Sequence, residues 1–261
     1  MKSFRALILG DSHSYWQRII TDLEYAYKTF NFNAIFQVGD LCYLPKKYGN
    51  EPEVNQADQI LRDFIERTNI PFYWIDGNHE DHSILQVVDD FNNSTFNTYG
   101  KNFYYQPRGS YIELDRYVLF FIGGAETIDW YNRTEGVDFF RNEIITRDQE
   151  DFIFDNIDKI KLLNKPVIVI AHTCPYRATT DERNLLDIMS IESSNVPSGH
   201  AQSKFLDEVL EQLHPKMWFH GHFHRERIYT LKDFNTVFYS IGGYVQAKYQ
   251  INDKKYFIID L

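Results

Sequence analysis

Five short apolar runs, at residues 4–9, 34–38, 71–75, 166–171 and 217–219, each stop at glycine, aspartate, asparagine or histidine. The stops are Gly10-Asp11-Ser12-His13, Gly39-Asp40, Asp76-Gly77-Asn78-His79-Glu80, His172, and His220-Gly221-His222-Phe223-His224. Runs this short, bounded by such residues, read as buried strands ending in turns. Between them lie helical spacings. Trp16, Ile19, Ile20, Leu23, Tyr27 and Phe30 share one face over residues 15–30, and residues 58–67, 146–163 and 201–213 read as further helices. Thr146, with Gln149 three positions on, is the capping-box pattern for the third of these. Strands alternating with helices predict an α/β fold, and parallel strands of one sheet bring their terminal loops to a common edge.

The middle of the chain has a different texture. Residues 103–105, 111–114 and 117–122, separated by Pro107-Arg108-Gly109 and Asp115-Arg116, read as antiparallel strands joined by tight turns. A polar, aromatic loop covers residues 126–143, an irregular stretch at 174–198 reads as a lid or cleft wall, and three short strands close the chain. With no repeat and no Gly/Ser linker, residues 1–261 are expected to form one domain. The 18 Tyr, 21 Phe and 4 Trp predict a core built partly from rings.

Composition excludes several classes. With 27 Lys+Arg against 37 Asp+Glu, the formal net charge is −10, which argues against a chain that holds long nucleic acid on a basic face. No run approaches the roughly 18 apolar residues of a membrane span, and the start lacks a signal-peptide pattern; the expected compartment is the cytoplasm, with no membrane partner. Cys42 and Cys174 are too few for a disulfide framework and are expected as free thiols near the site.

The residues at the strand ends carry the chemistry. Carboxylate, amide and imidazole ligands without thiolates suit Mn²⁺, Fe²⁺, Zn²⁺ or Ni²⁺. In extended backbone, Asp11-x-His13 and His222-x-His224 would each put both side chains on one face, because the period there is two. Seven ligand-type residues exceed what one ion with open positions uses. A pair of ions about 3.5–4 Å apart, sharing one carboxylate, would use them all.

These five blocks, in order and spacing, resemble the calcineurin-like metallophosphoesterases, with their pattern D-x-H, GD, GNH[DE], H and GH-x-H; the resemblance spans Asp11 to His224. It implies a four-layer αββα sandwich with two mixed β-sheets. It further implies two divalent metal ions, Mn²⁺ first among them: Asp11, His13 and His224 on one, Asp40 bridging, and Asn78, His172 and His222 on the other. His79 would bind no metal but assist the leaving group, with Glu80 holding its ring. The reaction implied is hydrolysis of a small phosphate ester, through water activated between the ions.

Two departures narrow the resemblance. Tyr43 stands where GDxxD members carry a second aspartate, and Asp76 precedes the GNH block where Ser/Thr protein phosphatases carry arginine. The middle segment, Gly123-Gly124-Ala125 followed by Asp129, Arg133-Thr134 and Glu143, is similar to a small bacterial and phage subgroup.

Other residues are weighed individually. Arg133, Arg177 and Arg183 lie in loops expected to border the cleft, where arginine grips phosphate bidentately. Trp130, Tyr131 and Tyr176 could stack a base or sugar, with packing the default. His82, His200, His214 and His220 read as surface or packing residues, and Gly242-Gly243 as a turn. Two other functions stay open: a nuclease, cyclic-nucleotide or dinucleotide phosphodiesterase on the same fold, and a metal-binding module without turnover.

Overall fold

The computed structural model describes residues 4–42, 56–83, 85, 96–97, 101–127, 130–179, 201–244 and 254–261. Side-chain alternation within the strands decides its layering. In β1 (Arg5–Leu9), Leu7 and Leu9 pack beneath α1 (Trp16–Phe30) and α2 (Gln56–Thr68), while Ala6 and Ile8 enter a second cluster on the opposite face. The same split divides β7 (Val118–Ile122). Val118, Phe120 and Ile122 meet α3 (Arg147–Leu162) and α4 (Ala201–Leu213), and Leu119 and Phe121 turn to the shared middle cluster. Helices, sheet, sheet and helices therefore stack as four layers around three apolar cores, as the α/β sandwich expectation required.

Each sheet is six-stranded and mixed. The first contains β2 (Ala34–Gln37), β3 (Phe72–Trp74), β4 (Phe96–Asn97), β5 (Phe103–Tyr105) and β12 (Tyr256–Asp260), in the order β12-β1-β2-β3-β5-β4. The second contains β6 (Tyr111–Glu113), β8 (Val167–Ala171), β9 (Met217–His220), β10 (Arg227–Thr230) and β11 (Val237–Ser240), in the order β10-β11-β9-β8-β7-β6. β1, β2 and β3 are parallel neighbours, and so are β8 and β9. The five site loops thus leave the ends of parallel strands in two sheets, which corrects the single sheet expected from strand alternation.

The run of antiparallel hairpins expected over residues 103–122 is corrected. β6 and β7 do pair antiparallel, but β5 pairs parallel with β3 in the other sheet. Pro107-Arg108-Gly109 is therefore a crossing between sheets. Arg108 is drawn into the interior, where Nε and Nη2 donate to Asp76 at 2.9 and 2.7 Å and further bonds reach the carbonyls of Asn142, Glu143 and Ile144. The capping box forms as expected, with Thr146 Oγ1 accepting from Gln149 N and Gln149 Oε1 accepting from Thr146 N. α2 begins two residues earlier than its periodicity suggested. Among the described residues no helix is long and apolar enough to cross a membrane.

Candidate metal centre

The loops after β1, β2, β3, β8 and β9 converge. Asp11, His13, Asp40 and His224 bring one ligand atom each to within 4.8 Å of one another. His224 Nε2 lies 3.1 Å from Asp11 Oδ2 and 2.9 Å from His13 Nε2, and His13 Nε2 lies 3.5 Å from Asp40 Oδ2. On the other side of Asp40, its Oδ1 is 3.4 Å from His172 Nε2. His172 Nε2 and His222 Nδ1 both approach Asn78 Oδ1, at 3.2 and 3.1 Å. The two oxygens of Asp40 thus face two separate nitrogen-rich groups.

The backbone reaches this arrangement through left-handed turns. His13, Asp40, His222 and His224 have φ of 44°, 54°, 65° and 55°, conformations that cost L-residues about 1 kcal/mol or more each. The extended Asp-x-His and His-x-His geometry expected from the period of two is therefore corrected. β1 ends at Leu9 and β9 at His220, so the ligand-type residues lie in the turns beyond. Contacts across the site hold those turns: Ser12 N and His13 N donate to Asp40 O, and His222 N donates to Asp11 Oδ2. Close approach explains two glycines. A Cβ at Gly77 would strike Asp40 and His172, and one at Gly221 would strike the Asp11 carboxylate.

Protonation at Asp11, His13, Asp40 and His222 suits a divalent ion. Burial pushes His13 down to about 4 and, with His172 beside it, His222 down to about 3. Burial works against Asp40 ionising, yet the surrounding His172, His79, His13 and His222 hold it below the usual carboxylate range. Asp11 is held down likewise by its bond to His224, which that same bond raises. At neutral pH the carboxylates are ionised and these two imidazoles have free lone pairs. Asp11 Oδ1 is buried with no hydrogen-bond partner. A hard or borderline cation would satisfy it, so the residues present fit the expected group.

His79 borders the cluster. Its Nε2 is 4.0 Å from Asp40 Oδ2, and its Nδ1 is 3.3 Å from Arg133 Nη1. Glu80, expected to hold the His79 ring, instead accepts from the backbone amides of Gly77 and Cys42, at 2.5 and 2.9 Å, and ties the β2 and β3 loops together. Arg177 is corrected too. It is exposed and pairs with Asp207 and Glu211 on α4, because two carboxylates one helical turn apart offer it a local partner. Arg183, Tyr43, Asp129 and His200 lie outside the described residues.

Cys42 and Cys174 are free thiols, and Cys42 Sγ is 3.6 Å from His13 Nδ1. His82 and His220 are packing residues: His82 reaches Gly77 O, and His220 reaches Tyr229 Oη. Gly242-Gly243 does more than turn the chain. Gly243 lies against the His224 ring, and the next residue, Tyr244, donates its amide to Asp11 O. Thr127, which bonds Asn78 and Glu143, is not among the residues expected at the site. A lone threonine in a loop carries no metal-ligand signal.

A family model of the calcineurin-like phosphoesterases matches residues 4–226. The chain belongs to that family. Among curated proteins none matches it by sequence. Solved structures share the fold at low identity. GAP50, the anchor in the inner membrane complex of Plasmodium, is 11% identical with a TM-score of 0.52, the match covering 99% of this chain and 81% of that one. A Staphylococcus aureus protein provisionally named a 5'-nucleotidase, solved with alpha-ketoglutarate, is 12% identical with a TM-score of 0.50. That match covers 99% of this chain and about half, 54%, of the other.

Proposed function

We propose that this phosphoesterase hydrolyses a small phosphate ester with two divalent metal ions, Mn²⁺ first and Fe, Zn or Ni as alternatives. The observation that carries the reading is the position of Asp40 between two nitrogen-rich groups, one oxygen toward each. Asp11, His13 and His224 would hold one ion, Asn78, His172 and His222 the other, and Asp40 both. When bound, such a pair supplies water activation and neutralises the phosphoryl oxygens.

The protein's own part centres on His79. Arg133 Nη1 donates to His79 Nδ1, so the ring proton sits on Nε2, the nitrogen nearer Asp40. From there the neutral ring donates a hydrogen bond to the leaving oxygen, whose charge it stabilises while water supplies the proton. Arg133 also lies where a phosphoryl oxygen could be gripped. The absence of any membrane-crossing helix among the described residues and the net charge of −10 suit a small substrate free in water. The middle cluster shared by both sheets supports one domain over residues 1–261.

A nucleotide phosphodiester is the second reading. Trp130 and Tyr131, 40% and 50% exposed, flank the turn that carries Arg133 and offer rings to a base. The test is a panel of p-nitrophenyl phosphate, its bis-ester, cyclic nucleotides, dinucleoside polyphosphates and a phosphopeptide, run on chelator-stripped protein with and without Mn²⁺. Turnover that depends on Mn²⁺ is expected on at least one ester. Metal uptake without turnover of any would instead make the chain a binding module.

A further inference from the structure

Asn78 presents Oδ1 to His172 and His222, and its other end, Nδ2, donates to Thr127 Oγ1 at 3.1 Å. Thr127 in turn gives its hydroxyl proton to Glu143 Oε2 at 2.8 Å, and its backbone N–H donates to Glu143 Oε1. All three side chains are almost fully buried: Asn78 is 5% exposed, Thr127 3% and Glu143 2%. The chain of bonds runs one way only. A carboxylate takes the hydroxyl proton, so the threonine oxygen is left as an acceptor, and an acceptor there selects the NH₂ end of the asparagine.

That direction has a chemical consequence. An asparagine amide has nearly identical ends in shape, and only one of them can bind a cation. A threonine free to donate would accept either orientation, including the one that aims NH₂ at His172 and His222. We propose that Thr127 and Glu143 are positioning residues that fix the Asn78 amide with its oxygen toward the second ion site. The proposal rests on the two-ion reading above. Burial pushes Glu143 up to about 7 against the Thr127 bonds and the nearby Arg133, which bonds His79, so the relay is set in this direction once Glu143 is ionised, above that pH. The loop after β7 and the turn it leads into thereby orient the adjacent Asn78 and His79 together.

The experiment is calorimetric titration of Mn²⁺ into stripped wild type, Thr127→Val, Thr127→Ser and Glu143→Gln, with thermal melts of the metal-free proteins alongside. Wild type is expected to show two binding events. Thr127→Val and Glu143→Gln should weaken one of them about 10- to 100-fold, the usual consequence of losing a ligand's outer partner, and leave the other within threefold. Thr127→Ser should restore both. Wild-type affinity at both sites in Thr127→Val overturns the relay and leaves the two-ion reading standing. Equal loss at both sites with a matching fall in metal-free melting temperature also overturns it, as a structural effect. Absence of binding in wild type overturns the two-ion reading itself. Should Glu143→Gln fail to fold, Thr127→Val against Thr127→Ser decides.

Discussion

Asp40 faces His13 through Oδ2 and His172 through Oδ1, while His79 lies at the border of the same cluster. Their substitutions should therefore separate. Asp40→Asn is expected to lower occupancy of both ions in metal analysis. His79→Ala should keep both and lose about 10²- to 10³-fold in kcat, the range for losing one hydrogen-bond donor to a developing oxyanion; full activity in that variant would remove His79 from the leaving-group role. A second residue-scale consequence concerns His82. Its Nε2 donates to Gly77 O and its Nδ1 faces the Arg108 guanidinium at 3.4 Å, so the neutral ring is fully used. Burial and Arg108 push its pKa down to about 4 against Asp76 and the more distant Asp40. Between the unfolded value near 6.5 and that folded value, the unfolded chain takes up a proton the native state refuses. Stability present above pH 6.5 is lost as pH falls toward 4, by about 3 kcal/mol. Urea unfolding of metal-free wild type against His82→Gln across that window should show the difference, and parallel curves would exclude His82 as its source.

At the scale of elements, α3 links the periphery to the site. Its capping glutamine, Gln149, accepts from Thr146 N and also from Arg108 Nη1 at 3.0 Å. Arg108 in turn pairs with Asp76 at the end of β3, two residues before Asn78. Removing the cap hydroxyl with Thr146→Ala should cost about 1 kcal/mol, read as a lower urea midpoint at unchanged slope. Helix, strand and capping box were legible here because they depend on residues three or four apart, or on alternate ones. The crossing at residues 106–110 was not. Pro-Arg-Gly has the local chemistry of a hairpin turn, and its true course depends on Asp76, 32 residues away, which pulls Arg108 inside.

On the scale of the whole molecule, two sheets stack face to face, and loops from both meet at one edge in a single cluster. An ion joining those loops binds the folded state alone, so it must raise global stability. Each site held at 100 times its Kd adds about 2.7 kcal/mol, roughly 5–10 °C in a chain of this size. Thermal melts with Mn²⁺ against chelator should show that rise, and Asp40→Asn should lack it.

The sequence by itself determined the donor types, their order along the chain and their place after apolar strands. Residue chemistry and strand periodicity are local properties, and from these the family and its four layers could be read. Only the tertiary structure decided that the loops come from two sheets, and that left-handed turns at His13, Asp40, His222 and His224 aim the side chains. The partners of Glu80, Arg177 and Thr127 were likewise decided there. Whether a buried carboxylate meets a ring, an amide or a hydroxyl depends on which distant backbone packs beside it, and no spacing along one chain encodes that approach.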